Sequence, residues 1–318
     1  MLLIGGLGLQ CSFAQNTDTL VSRTGKRIIE RFPSSRTIDV QYNLTGDSKL
    51  KSKGGKLGAN GQLQDLQSVR VNANIPFLVI KKKLIFALNG AYNRSFGRWI
   101  ASPEQQQQVA TSKDINLAYW SAGVNSIYIT ELDGRPLIFS GSFISDGDKR
   151  DLHAMRGLMT AFWTLKSNEK TKLSLGLVGI IDRMSPIPAL PVVSYERHLG
   201  PSPWTLELFF PQKFMLERKL GDDSQLFLGA EIDTDRNYYK LSSENLDGVY
   251  VLGQASINSG VTFERRFFNH VYLSLKAGLS SPLESRFVEK NHKVSDYIFK
   301  YTRESSWYAR LGLSYNLF

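Results

Sequence analysis

Cysteine is almost absent from this chain of 318 residues: the only one is Cys11, within an apolar start. That excludes a disulfide framework, and it leaves no cysteine set for a metal or a thiolate nucleophile. Gln10 precedes it, and a lipoprotein site needs a small residue there, so lipidation is not expected. Histidine is scarce too. His153, His198, His270 and His292 are scattered, with no spacing that puts two ring nitrogens on one metal. No long uncharged apolar run occurs, the longest being the N-terminal one, which is too short to cross a bilayer as a helix. Helical spans are thereby excluded, although a membrane is not. Amphipathic helices of more than a couple of turns are missing as well. What the chain does have is 42% hydrophobic residues with 18 Phe, 13 Tyr and 5 Trp, too apolar and aromatic for a disordered polymer. The net charge of +10 comes without a helix-turn-helix or zinc pattern, so nucleic acid is not an expected partner.

Residues 1–14, MLLIGGLGLQCSFA, end on Ser12-Phe13-Ala14 with small residues at the minus-three and minus-one sites. This is the pattern of a secretory signal peptide cleaved before Gln15, with its basic n-region missing. Residues 15–35 are expected to form a periplasmic N-terminal segment. After cleavage no cysteine remains, so hydrogen bonding and packing alone must hold the fold.

From residue 36 onward the signal is alternation with period two. Ile38, Val40, Tyr42 and Leu44 alternate with polar residues, as do Val69, Val71, Ala73 and Ile75. The pattern recurs in Leu173, Leu175 and Leu177, in Leu226, Leu228 and Ile232, in Leu273, Leu275 and Leu279, and last in Leu311, Leu313 and Tyr315. Short polar turns (81–83, 133–135, 167–170, 200–203, 221–223, 268–270) alternate with longer polar stretches (47–63, 96–113, 146–155, 184–190, 238–248, 281–304). Sorting short and long connections to opposite ends is the habit of a membrane barrel with periplasmic turns. Residues 36–318 are therefore predicted to be all-β, an up-and-down antiparallel transmembrane β-barrel of about 12–14 strands in the cell outer membrane. The total is 14 if the segments around Pro211 are two short strands, and 12 if 186–214 is irregular. The barrel must close, because an open edge would strand backbone polar groups in hydrocarbon. An exported soluble β-sandwich that binds a ligand is the alternative fold.

The chain ends Ser314-Tyr315-Asn316-Leu317-Phe318, which resembles the C-terminal recognition signal of outer-membrane barrels, with Phe318 one residue out of phase. Leu190-Pro191-Val192-Val193-Ser194-Tyr195-Glu196, Trp204-Thr205-Leu206-Glu207-Leu208, Phe210-Pro211 and Leu226-Phe227-Leu228-Gly229 are similar to a Bacteroidetes-type family of outer-membrane barrels of unassigned function. The resemblance implies insertion by the barrel assembly machinery and names no substrate.

If the apolar set faces lipid, the intervening residues face inward. The charged lumen candidates are Asp39, Arg70, Glu207, Glu217, Lys219, Glu231, Asp233, Glu264, Arg266, Lys276 and Arg310. Their signs nearly balance, which favours ion pairs across a filled interior over a selective pore, where one sign would ring one depth. The function read from this is a structural barrel or a passive narrow pore for small solutes, not an enzyme, with no cofactor and no metal. A lipid-modifying outer-membrane enzyme is the rival, with His153 as its base, Asp148 near it and Ser145 close in sequence. Asp233 and Asp235, with Arg236 beside them, read as an ion-pair set rather than a metal site. The basic clusters Lys49, Lys51, Lys53, Lys56 and Lys81 to Lys83 point to membrane lipids and anionic glycolipid as partners. Tyr92, Trp99, Tyr119, Trp120, Trp163, Trp204, Tyr250, Trp307 and Tyr308 are expected in the interfacial girdles.

Overall fold

The computed structural model describes residues 36–55, 60–81, 83–101, 112–149, 151–185, 187–243, 246–268 and 270–317. The expected signal peptide and N-terminal segment lie outside the described residues, as do Lys56, Lys82 and Phe318. Every regular element described is a β-strand: β1 (Ile38–Thr45), β2 (Ser48–Gly55), β3 (Gly61–Ile80), β4 (Leu84–Ala101), β5 (Ser112–Leu132), β6 (Arg135–Gly147), β7 (Leu152–Ser167), β8 (Thr171–Ile181) and β9 (Ala189–His198). They are followed by β10 (Trp204–Phe210), β11 (Lys213–Lys219), β12 (Ser224–Ser243), β13 (Leu246–Phe267), β14 (Val271–Pro282), β15 (Ser285–Glu289), β16 (Tyr297–Arg303) and β17 (Ser306–Tyr315).

These segments make 14 strands of one closed antiparallel barrel. β1 and β2 both pair with β3 and are one strand broken at Gly46-Asp47. β14 and β15 likewise share β13, while β16 and β17 lie against β2 and β1. The ring closes where β1 takes β17 on one side and β3 on the other, with Tyr42 opposite Leu311 and Val69. Gly46 at the break lies close against the Trp307 ring: a Cβ there would sit 2.4 Å from the indole nitrogen and would push that outward ring aside. Of the turns read from the sequence, Asp133-Gly134 has positive φ at both residues, 53° and 67°, as a two-residue hairpin turn needs.

The alternating residues divide by face as the pattern predicted. Phe143 is 56% exposed, Met159 61% and Leu313 53%, each on the outer wall with no protein cover. Ile75, Leu88, Val124, Leu177, Phe214, Val261 and Leu275 extend this band around the circumference. A continuous outward apolar belt on a closed barrel is stable only against acyl chains.

Two features depart from a uniform cylinder. The described residues of stretches expected as long loops are largely strand: β2 takes 48–55 and β3 begins at Gly61, β12 runs to Ser243, and β15 and β16 make up half of 281–304. Above the belt neither face meets lipid, so hydrophobic alternation fades while backbone pairing continues. Second, the wall is low at β10 and β11, whose seven residues each rise only about 18 Å at the usual tilt, less than the roughly 25 Å apolar band. Pairing of β12 with β11 stops at Glu231, opposite Lys213, and Gln212 adds one last bond to the Ile232 amide, 2.8 Å. Beyond that point β12 has no strand on this side among the described residues. It leans across the lumen and touches β5, the diametrically opposite strand. The β12–β13 hairpin thus partitions the outer half of the barrel.

Candidate functional site: the crossed lumen and its outer cavity

Strand register explains which charges meet. Glu231, Asp233 and Asp235 share the inward face of β12, two residues apart, and the strands facing them present Arg70 from β3, Lys276 from β14 and Arg310 from β17. Asp233 accepts from Arg70 Nη1 at 3.2 Å and from Arg310 Nη2 at 2.6 Å. Arg70 Nη2 reaches Asp235 at 2.6 Å. Glu231 accepts from Lys276 and lies 3.6 Å from Arg310. Arg310 also donates to Asn43 of β1. Three cations and three anions from four strands thus form one balanced layer at mid-height. Asp233 and Asp235 serve as its acceptors, and no group of three or more residues suited to a metal occurs among the described residues.

The other lumen candidates sit in separate groups. Towards the turn rim, Glu264 of β13 accepts from Arg36 at 2.7 Å, while Asp39 accepts from Ser314 at 2.8 Å and from Gln41 at 2.7 Å. The Arg36 guanidinium also covers the Tyr272 ring at 4.0 Å. Glu207 pairs with Lys213 at 3.2 Å across the β10–β11 hairpin. Glu217 is half-buried on β11, Lys219 is exposed at that strand's end, and Arg266 binds Asp223 of the rim turn at 2.8 Å. Arg266 and Lys219 therefore belong to the rim rather than to the crossed layer.

A second network was not legible in the sequence. Asp146 on β6 is fully buried and accepts from Arg156 of β7, from Tyr238 of β12 and, at 3.4 Å, from Tyr119 of β5. Arg236 of β12 binds Asp182 at 2.6 Å, and the Tyr119 and Tyr238 rings stack at 6.3 Å with 13° between planes. These bonds hold the leaning hairpin against the far wall. Asp146, Asp182 and Arg156 lie in or beside stretches read as loops or turns. Arg236 alternates with Asp235 and so points to the opposite side of the partition.

The interior is also less polar than the alternation implied. Phe162, Val178, Val192 and Phe209 form an inward apolar cluster across β7 to β10, and Ile85, Ile127, Ile129 and Ile138 form another across β4 to β6. Four of the girdle aromatics are interior residues. Tyr119 belongs to the second network, Tyr250 stacks on Phe287 at 5.2 Å, and Trp99 and Tyr308 line a cavity. Tyr92 and Trp307 do face outward. His153 approaches Asp148 at 3.3 Å and packs on the Tyr238 ring at 4.5 Å. Ser145 lies on the face of β6 opposite Asp146, along with outward Phe143, so these residues do not assemble a nucleophile–base pair.

On the loop side of the ion-pair layer lies a cavity of about 630 Å³. Arg70, Asp233 and Arg310 form its floor. Leu63, Trp99, Leu117, Phe287 and Phe299 are among its apolar walls, and Lys113, Asp114 and Arg303 add charge. Tyr239 meets Phe287 edge-on at 5.6 Å, and Phe287 stacks on Phe299 at 4.8 Å, giving one continuous aromatic side. The size is that of an ordinary small-molecule pocket.

A closed barrel with this belt belongs in one place. The chain is an outer-membrane β-barrel. No protein-family model matches it, and no curated protein does. Among solved structures it is similar to a FadL homologue from Pseudomonas aeruginosa, at 7% identity over 89% of this chain and 91% of that one, TM-score 0.40. It is also similar to an outer membrane channel from Pseudomonas putida F1, at 14% identity over 87% and 94%, TM-score 0.34. Outer membrane phospholipase A from Escherichia coli matches at 7% identity over 86% and 93%, TM-score 0.33. The likeness is one of architecture.

Proposed function

We propose that this barrel is a narrow conduit for small solutes held shut at mid-height by its ion-pair layer, and that in this state its role is structural. The observation that carries the reading is the sharing of Asp233 between Arg70 and Arg310, which ties β12 to the opposite wall in the middle of the lumen. Such pairs break and re-form without unfolding the wall, so passage is intermittent and limited to small polar species. A standing single-sign ring, which would select ions, is not part of this reading. The proposal is non-enzymatic, in keeping with the separation of His153 from Ser145. Insertion by the barrel assembly machinery fits the Bacteroidetes-type resemblance of the β9–β12 region. Contact with anionic glycolipid would use Lys49, Lys51 and Lys53 on β2 at the loop rim. Planar-bilayer recording tests the conduit: the native protein should show rare, small openings, and an Asp233→Asn variant more frequent ones. Large, stable openings of the native protein would overturn the proposal.

A further inference from the structure

The outer cavity carries a cation that the ion-pair layer does not use. Arg303, the last residue of β16, lines this cavity. Among the described residues its guanidinium makes no ion pair and no hydrogen bond, and its Nε is buried without a partner. Three more buried polar atoms on the same cavity have no hydrogen-bond partner: the Tyr308 hydroxyl, which can donate, and the side-chain oxygens of Asn237 and Asn258, which can only accept. Arg70 and Arg310 occupy Asp233, and Arg70 and Asn93 both bond Asp235 Oδ1, so Asp235 acts on Arg303 through its charge and without a bond between them. The charged lining then counts Arg70, Arg303, Arg310 and Lys113 against Asp114, Asp233 and Asp235, one cation in excess. Arg303 is half-buried with its Nε shielded from water, and a guanidinium so placed is stabilised by an anion against it, its planar fork matching a carboxylate or sulfonate. Facing this charge is the aromatic side built from Tyr239, Phe287 and Phe299, which offers flat apolar surface.

We propose that the cavity is a binding site for a small amphipathic monoanion, its acid group on Arg303 with Tyr308 beside it and its compact or aromatic body against Phe287 and Phe299. A neutral solute would leave Arg303 unpaired. A cation would meet the excess positive charge. A dianion would overfill a site with one spare cation. The inference goes beyond the conduit proposal, since it needs the cavity and not the gate.

Calorimetric titration of the full barrel in phosphatidylcholine nanodiscs tests it, with 2-naphthoate as the anionic probe and 2-naphthylmethanol as its uncharged analogue. Empty nanodiscs correct for partition into lipid. Saturable binding of naphthoate at one per barrel is expected, with the alcohol weaker by about tenfold, the scale of a lost charge-assisted bond. Arg303→Gln should weaken naphthoate by about the same factor and move the alcohol by less than about threefold, while Arg303→Lys should restore part of the affinity. Folding of each variant is checked by heat-modifiable gel mobility. The comparison of the two probes on the native protein needs no variant, so it stands if Arg303→Gln misfolds. No saturable naphthoate binding above empty discs, equal binding of the two probes, or unchanged affinity in a folded Arg303→Gln barrel would overturn the proposal. Those outcomes leave the conductance of the native barrel, and with it the conduit proposal, untouched.

Discussion

Replacing Asp233 by Asn probes the centre of the molecule while keeping its shape. The change removes one charge from a layer in which three cations meet three anions, and leaves Arg70 and Arg310 facing an amide. Breaking a fully buried pair from one side costs about 3–5 kcal/mol, because the remaining charge is desolvated and uncompensated. Two features lower that figure here. The Asp233, Arg70 and Arg310 side chains keep 17%, 18% and 15% of their exposure, and each arginine has another carboxylate, Asp235 at 2.6 Å and Glu231 at 3.6 Å. A loss of about 2 kcal/mol remains, close to a thirtyfold change in the folding equilibrium. Denaturant unfolding of the barrel in lipid vesicles, followed by tryptophan fluorescence, measures it. Adding Arg310→Met to Asp233→Asn should cost less than the sum of the two single changes, since the pair is already broken. A loss below about 0.5 kcal/mol, with additive single changes, would refute the idea that this layer holds β12 to the opposite wall.

Three further outcomes follow from the same geometry. Leu311→Arg places a charge on the lipid face beside the natural, inward Arg310, and should destabilise the barrel by about 2–4 kcal/mol in the vesicle unfolding assay. Gly278→Val should block folding as judged by heat-modifiable mobility, because a Cβ at Gly278 would lie 1.9 Å from the Ser259 carbonyl oxygen and 2.6 Å from the Gly260 Cα. Arg236→Ala removes the bond to Asp182 that pins the leaning hairpin, so amide hydrogen exchange should quicken in the outer half of β12 and stay unchanged in β14.

The belt and the barrel were legible because lipid writes a strict period two into the outward face, as in Leu311, Leu313 and Tyr315. The strand total followed from reading the residues on either side of Pro211 as two short strands, which β10 and β11 are. Inward charges such as Arg70, Asp233 and Arg310 could be named from their register, but not who meets whom, since depth depends on strand tilt and stagger. Where the wall rises above the belt the signal is lost. Asp146, Arg303 and the outer ends of β12 and β13 sit in polar stretches that read as loops although their backbones pair. Inward apolar residues such as Val178 and Phe209 were hidden for another reason: beside an apolar outward neighbour, alternation vanishes. The leaning of β12 has no local code. It arises because β11 ends early, and only the assembled ring reveals that.

The most direct test of the account is a nitroxide scan along residues 307–315 in lipid vesicles, made practical because Cys11 is the only cysteine to replace. Accessibility to oxygen, which dissolves in acyl chains, should peak at 307, 309, 311, 313 and 315, with the even positions shielded from it. A flat profile, or one in phase with a water-soluble relaxant at the odd positions, would contradict the claim that this face of the barrel lies against lipid.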